Sequence, residues 1–275
     1  MSDQNPILFE KTPESILEFY NTPYKLNDVQ IIEYQKNGFI KLPNVLEGEA
    51  LNYSRKIITA AVNARTGHDK RTLNEKSQYE QSFKQCGYLC WDYPAVKDYV
   101  FGKRFAGIAR DLMKVNGVRL WHDQALYKEP GGRLTDCHQD ESYWPINSEN
   151  TITMWMALVD VPEVKGCMRF IPNTHKIGVR EYVDIFNNPH MPETMEYQIR
   201  TVVPLRAGDV TFHSGLTFHE ANPNKTDEMR EAMTVIYFED GAVYSDEDAR
   251  SKDHKSCWGL KPGDIIDTQY TPKLI

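Results

Sequence analysis

Residues 135–144, TDCHQDESYW, set one histidine, His138, between two acids, Asp136 and Asp140. Side chains two apart on a strand share a face, so His138 and Asp140 converge while Gln139 points away. A single His-x-Asp pair is a common accident of spelling, and a metal reading needs a third donor. His219, in AGDVTFHSGLTFHEANPN, has the best context, just after a turn–strand–turn run where the chain must fold back. His213, six residues earlier on the expected strand itself, reads as a packed neighbour rather than a ligand. Two histidines and one carboxylate suit non-haem Fe(II) and leave three positions open, as oxygen activation requires. The same donors could hold a catalytic zinc. Hydrolysis there would need a general base, for which Glu141 or Asp136 could serve.

Arg230 bears on that choice. It lies eleven residues after His219 and opens the strand REAMTVIYFED, where alternation places Arg230, Ala232, Thr234 and Ile236 on one face. An arginine on an apolar face is costly unless an anion pairs with it, and its planar fork matches a carboxylate at two points. One reading is a structural Arg–Asp pair. The other is a dicarboxylate cosubstrate whose far carboxylate ends on Arg230 while its 2-oxo acid end chelates iron.

The ordered set GFIKLPNVL, DQALYKEPGG, HQDESYW, MWMALVDVPEVKGCMRFIPNTHK, AGDVTFHSGLTFHEANPN and REAMTVIYFEDG resembles the phytanoyl-CoA dioxygenase family over residues 26 to 243. The resemblance implies an Fe(II)- and 2-oxoglutarate-dependent oxygenase, mainly β with flanking helices, built on a double-stranded β-helix (jelly-roll, cupin-like) core. It implies that His138, Asp140 and His219 ligate iron and that Arg230 holds the C5 carboxylate of 2-oxoglutarate. Trp155 and Gln124 fall where the family places cosubstrate contacts, and Thr153 shares the face of Trp155. Tyr143 and Trp144 follow the metal strand and are expected at the substrate mouth, with Asp136 and Arg133 as further substrate contacts. The family's polar cosubstrate contact from the region before the core has no evident counterpart among residues 65 to 92.

The reaction so implied consumes O2 and 2-oxoglutarate, releases succinate and CO2, and hydroxylates an unactivated carbon of a small metabolite or biosynthetic intermediate. Asp140 fills the ligand position that a related halogenase would leave open for chloride. A zinc hydrolase using the same three ligands, and a non-catalytic binding protein of the same fold, are the competing classes.

The elements that must position these residues form one domain. Residues 1–25 read as an arm draped over it, and residues 26–116 as mainly helical support. Residues 117–243 carry the β core, and 244–275 a C-terminal tail. The first helix starts after the cap Asn27, places Val29, Ile32 and Tyr34 near one side, and stops at Asn37–Gly38. FIKL then reads as a strand. A second helix runs from Glu47 to about Ala64, burying Leu51, Ile57, Ile58, Ala61 and Val62. A third spans Pro94 to Met113, burying Val96, Val100, Phe105, Ile108, Ala109 and Leu112. After Asn116–Gly117 short β-branched and aromatic runs alternate with turns, the pattern of an antiparallel sandwich or barrel. The polar stretch 65–92 and the interruption 172–200 are the candidate lids.

Bulk properties agree with a soluble globular chain of 275 residues. The net charge of −7 gives no support to a nucleic-acid or anionic-membrane partner, and no apolar run is long enough to span a membrane. An odd cysteine count of five and the lack of a signal-like N-terminus suggest free thiols in the cytoplasm.

Overall fold

The structure, a computed structural model, describes residues 5–178, 181–245 and 254–275. The helices come first: α1 (Glu14–Asn21), α2 (Asp28–Asn37), α3 (Gly48–Thr66), α4 (Gln78–Ser82), α5 (Leu89–Asp92), α6 (Pro94–Val100) and α7 (Lys103–Met113). Asn27 and Gln30 close a reciprocal capping box on α2, and Gly38, at φ +81°, ends it. The expected stripe of α2 does not hold. Tyr34 is buried, but Val29 and Ile32 are exposed, because this short helix touches its neighbours along one narrow line. The arm residues 1–25 contain α1, whose Ile16 and Tyr20 sit one turn apart and are both buried. The expected third helix is two, α6 and α7. Gly102 separates them, packed so closely that a Cβ there would lie 3.2 Å from the Tyr20 carbonyl. All six residues named for that helix are buried.

Two antiparallel sheets follow, as a jelly roll requires. The major sheet combines β1 (Phe39–Leu42), β2 (Lys84–Gly87), β3 (Val118–Lys128), β6 (Thr151–Ala157), β9 (Val210–Ser214) and β11 (Arg230–Glu239). Their order is β1-β9-β6-β11-β3-β2. The minor sheet runs β4-β10-β7-β8, from β4 (Thr135–His138), β10 (His219–Ala221), β7 (Met168–Phe170) and β8 (Thr201–Val203). A short pair joins β5 (Ile146–Asn147) to β12 (Val243–Tyr244). The polar stretch 65–92 is less irregular than its composition suggests, since it contains α4, α5 and the edge strand β2.

Both faces of the major sheet are covered, and alternation sorts its residues. On β6, Ile152, Met154 and Met156 join the core against the helices, while Thr153 and Trp155 face the space between the sheets. On β11, Met233, Val235 and Tyr237 take the helical side, and Arg230 and Thr234 the inner side. The helical half thus backs the sheet that carries the site.

The turn before β9 shows how tight this framework is. Gly208, at φ +87°, donates to Ala157 O at 2.8 Å, and its own carbonyl accepts from Leu46 N at 3.1 Å. A Cβ there would stand 1.8 Å from Leu46 O. Gly208→Ala should therefore cost about 2–4 kcal/mol, combining left-handed strain with overpacking. Chemical denaturation would read this as a lowered midpoint, and a midpoint equal to the wild type's would contradict the register described.

Candidate metal centre and cosubstrate pocket

His138 ends β4, and His219 opens β10 directly opposite it in register. Each ring is fixed by a carbonyl: His138 Nδ1 donates to Asp136 O at 2.6 Å, and His219 Nδ1 donates to Thr217 O at 3.0 Å. A carbonyl can only accept, so the proton sits on Nδ1 and both Nε2 lone pairs are free. Both point at Asp140 Oδ1, each at 3.5 Å. One donor atom from each of the three residues lies within 4.8 Å of the others.

Asp140 is not on the strand with His138, as expected, but opens the helical turn Asp140–Tyr143 just after it. Its second oxygen is held separately: Thr153 Oγ1 donates to Oδ2 at 2.7 Å, and His213 Nε2 donates to it at 3.1 Å. Oδ1 is left for the imidazole side. Burial works against the Asp140 carboxylate, but the facing His219 ring and the hydrogen bond from His213 keep its pKa well below the usual range. Burial lowers His219 well below an ordinary imidazole, favouring the neutral, ligating form. Three donors, two of them lone pairs aimed inward and one an anionic oxygen, fit a divalent iron with one side open. His213 spends its Nε2 on the carboxylate, in keeping with its reading as a packed neighbour.

Arg230 lies at the start of β11 and is 1% exposed. Its Nη1 donates to Gly166 O at 2.9 Å, its guanidinium carbon lies 5.3 Å from the Trp155 ring centroid, and its Nε has no partner. Among the described residues no carboxylate forms an ion pair with it, so the structural Arg–Asp pair is absent. Burial lowers its pKa to about 10, which still leaves it charged at neutral pH. An unmatched buried cation in a cavity shared with the metal ligands fits a carboxylate of the cosubstrate.

The cavity is lined by His138, Asp140, His219, Arg230, Trp155, Gln124 and Thr153, with Tyr143 and Trp144 at its rim. Thr153 departs from its expected role, because its donor is committed to Asp140. Gln124 accepts from Gln85 of β2, and Gln85 also lines the cavity, bringing an amide to it from residues 65–92. The expected substrate contacts Arg133 and Asp136 are a correction. They pair with each other through two bonds of 2.6 and 3.0 Å and do not line the cavity. The reason is a bulge. His219 pairs with His138 and Ala221 with Thr135, so three steps along β4 match two along β10. Thr135 therefore joins His138 on the inner face, and Asp136 is displaced from it. Neither base candidate for zinc hydrolysis is in place: Glu141 accepts from Thr151 at 2.6 Å, away from the cavity.

Several lining residues carried no local signal in the sequence. Tyr79 and Phe83 come from the α4 region, Tyr88 from the end of β2, and Phe186 from the interruption 172–200. His254 comes from the tail. His122, expected to be an ordinary structural polar residue, faces the cavity from β3.

If Thr153 and His213 hold Asp140 for the metal, Thr153→Val should lower Fe(II) affinity about 10–100-fold while leaving the fold intact. Anaerobic metal titration measures this, and wild-type affinity would assign the orientation to His213 alone.

The sequence profile of the family described as phytanoyl-CoA dioxygenase (PhyH) matches residues 34–232. The phytanoyl-CoA dioxygenase 1 of Oryza sativa subsp. japonica is 25% identical over 170 residues, 58% of this chain; the match spans 59% of the rice protein. Among solved structures, the non-haem alpha-ketoglutarate-dependent carbocyclase SnoK from nogalamycin biosynthesis superposes with a TM-score of 0.75 at 27% identity, covering 92% of this chain and 99% of SnoK. The epimerase SnoN, in complex with Fe3+, alpha-ketoglutarate and nogalamycin RO, superposes at 0.74 with 25% identity, covering 90% and 98%. No described helix is long and apolar enough to cross a membrane. The chain belongs to the phytanoyl-CoA dioxygenase family of Fe(II)- and 2-oxoglutarate-dependent oxygenases.

Proposed function

We propose that this oxygenase hydroxylates an unactivated carbon of a small-molecule metabolite or biosynthetic intermediate, with His138, Asp140 and His219 as iron ligands and Arg230 as the anchor of 2-oxoglutarate. The observation that carries the reading is the unpaired Arg230 guanidinium, buried in the same cavity as three converging donor atoms. When bound, iron with 2-oxoglutarate and O2 supplies an oxidant able to take hydrogen from a C–H bond, with release of succinate and CO2.

The chain's own residues position and exclude. The three ligands occupy one side of the metal and leave the other to cosubstrate and oxygen. Trp155 walls the guanidinium. Gln85, Gln124 and Thr234 give the neighbouring wall polar edges. Glu220 also lines the cavity, but Arg169 and Arg200, each 3.3 Å from its Oε1, hold its charge. Residues 65–92 and the described parts of 172–200, which leave out 179–180, serve as the lids: Tyr79 and Phe186 meet at 4.4 Å, and Tyr143 Oη donates to Val183 O at 2.6 Å. Closure of this kind excludes water from the reacting face. Tyr143 and Trp144 shape the substrate mouth. The five described cysteines are all free and buried, which suits a reducing compartment such as the cytoplasm.

Arg230→Ala should raise the 2-oxoglutarate requirement by about 2–5 kcal/mol, on the order of 30- to 5,000-fold, because the carboxylate loses a buried partner. Calorimetric or spectroscopic titration of 2-oxoglutarate into the Fe(II) protein reads this directly; unchanged affinity would remove Arg230 from the scheme. Asp140→Ala should abolish succinate release with any substrate, and undiminished 2-oxoglutarate turnover would refute the iron assignment.

A further inference from the structure

A second basic group is buried beside Arg230. Lys128, the last residue of β3, pairs with Arg230 in register, and residues so paired point to the same side of a sheet. Gln124 and Leu126 line the cavity, so alternation along β3 carries Lys128 to the same inner side. Lys128 is 0% exposed. Its Nζ donates to the Arg133 carbonyl and, at 3.3 Å, to Thr135 Oγ1, its only acceptors among the described residues. An ammonium has three N–H groups to satisfy, and a neutral amine has two. The turn after β3 fixes the stem: a Cβ on Gly132 would stand 2.7 Å from Lys128 Cγ, and Asn224 Nδ2 donates to Lys128 O at 3.2 Å. Thr135 and Phe83, whose ring centroid lies 6.0 Å from Nζ, both line the cavity, so the amine stands one side chain behind its wall.

The carboxylates near this pair among the described residues have other partners. On β4, Asp136 is bonded to Arg133 at 2.6 and 3.0 Å. Glu129, next in the chain, pairs with Lys76 and Lys84. Glu228, across the turn, pairs with Lys165, and Glu231, beside Arg230, pairs with Arg55. Cys167 lies near Arg230, but burial pushes its thiol up to about 11. Phe83, on the α4 side, is uncharged. The cations facing Lys128 are Arg230 on β11 and Arg133. Two basic groups thus lie side by side out of water, and such a pair is relieved when one gives up its proton. Arg230 stays charged at neutral pH, so the lysine is the one to yield. Burial first, and then Arg230, hold the Lys128 pKa well below that of an ordinary lysine.

We propose that 2-oxoglutarate enters this site together with a proton, which Lys128 takes up. The inference rests on the Arg230 anchor proposed above and adds to it a second cation, formed when the cosubstrate's far carboxylate arrives. With the site empty, Lys128 is an amine beside a guanidinium. A carboxylate on Arg230 offsets that repulsion, and the Nζ lone pair binds one proton from solvent; no bond in the cosubstrate breaks. Thr135, which lines the cavity and accepts from Nζ, offers the proton a hydroxyl path. The sign follows from linkage. The Lys128 pKa is lower in the empty site than in the loaded one, so between those two values binding consumes a proton. Affinity for 2-oxoglutarate therefore falls as pH rises through that window, by up to about tenfold per pH unit, and is flat on either side of it.

The test uses the full-length protein loaded with Fe(II) under anaerobic conditions. 2-Oxoglutarate is titrated calorimetrically at several pH values from about 6 to 9, in paired buffers of different ionisation heat, which counts the protons taken up per ligand. 2-Oxopentanoate is titrated alongside: it keeps the 2-oxo acid end and lacks the far carboxylate, so protons exchanged at the metal cancel in the difference. The visible Fe(II)–2-oxo acid band reports binding of each independently. The expected result is that 2-oxoglutarate takes up more protons than 2-oxopentanoate, the excess approaching about one within the window. Lys128→Met should abolish the excess and flatten the pH dependence of 2-oxoglutarate affinity. An absent band defeats the cosubstrate reading and this inference with it, and equal affinity for the two acids removes the Arg230 anchor. Tighter binding of 2-oxoglutarate with the same proton count as 2-oxopentanoate at every pH would overturn the proton uptake alone, on the wild-type protein and without any variant. A Lys128→Met protein that keeps the full excess would take the proton away from Lys128.

Discussion

An arginine side chain buried to 1% exposure, with no carboxylate paired to it among the described residues, is the constraint on which the site turns. Removing a guanidinium from water costs several kcal/mol unless its charge is met. Here the fold meets it only in part, with one carbonyl and one aromatic face. The carbonyl belongs to Gly166, at φ +80°, where a Cβ would lie 2.4 Å from Asn222 O. A glycine-only turn therefore brings a backbone acceptor to the cation, and the remaining donors stay open to the cavity. A protein gains nothing in stability from such an arrangement. It gains a preformed seat for a carboxylate, which recovers part of the cost on binding.

The same logic governs the metal donors. His138 and His219 are oriented by main-chain carbonyls, and Asp140 by a threonine and a histidine, so each ligand is held before any ion arrives. Thr153, Trp155 and His213 stand on central strands of the major sheet, and the alternate residues of those strands pack against the helices. The helical half is thus a clamp. It rigidifies the sheet from behind, and rigidity is transmitted to the donor atoms through the strand backbone. The minor sheet contributes the two imidazoles from adjacent, register-matched strands, so their separation is set by ladder geometry rather than by a flexible loop.

Much of this was legible in the sequence because it depends on local period and order. The strand REAMTVIYFED alternates as read, with Arg230 and Thr234 inward and Met233 and Val235 against the helices. The preference for His219 over His213 also matches the geometry. The failures share a cause: each depends on a tertiary event that residue types do not encode. The bulge on β4 exchanges Asp136 for Thr135 on the inner face, and a period-two reading has no means of locating it. The stretch KQCG looks polar and irregular, yet pairing with β3 makes it a strand and delivers Gln85 and Tyr88 to the cavity. Gly102 breaks a pattern that is otherwise helical for twenty residues, at a point where the backbone of α1 packs tightly against it. His254 reaches the site from a tail with no motif at all; the hydrogen bond to Tyr88 and stacking on Trp121 place it.

Exposure is graded along the cavity: Arg230 and Trp155 are buried, whereas Phe186 is 39% exposed and Tyr143 is tethered to Val183 in the interruption 172–200. The ring contact between Tyr79 and Phe186, which joins two separate chain segments across the mouth, is made by side chains alone. Parting it costs only a few tenths to about one and a half kcal/mol beyond the exposed area. The mouth can open for exchange while the sheets behind it, bound by continuous backbone ladders, keep the donor atoms where they are.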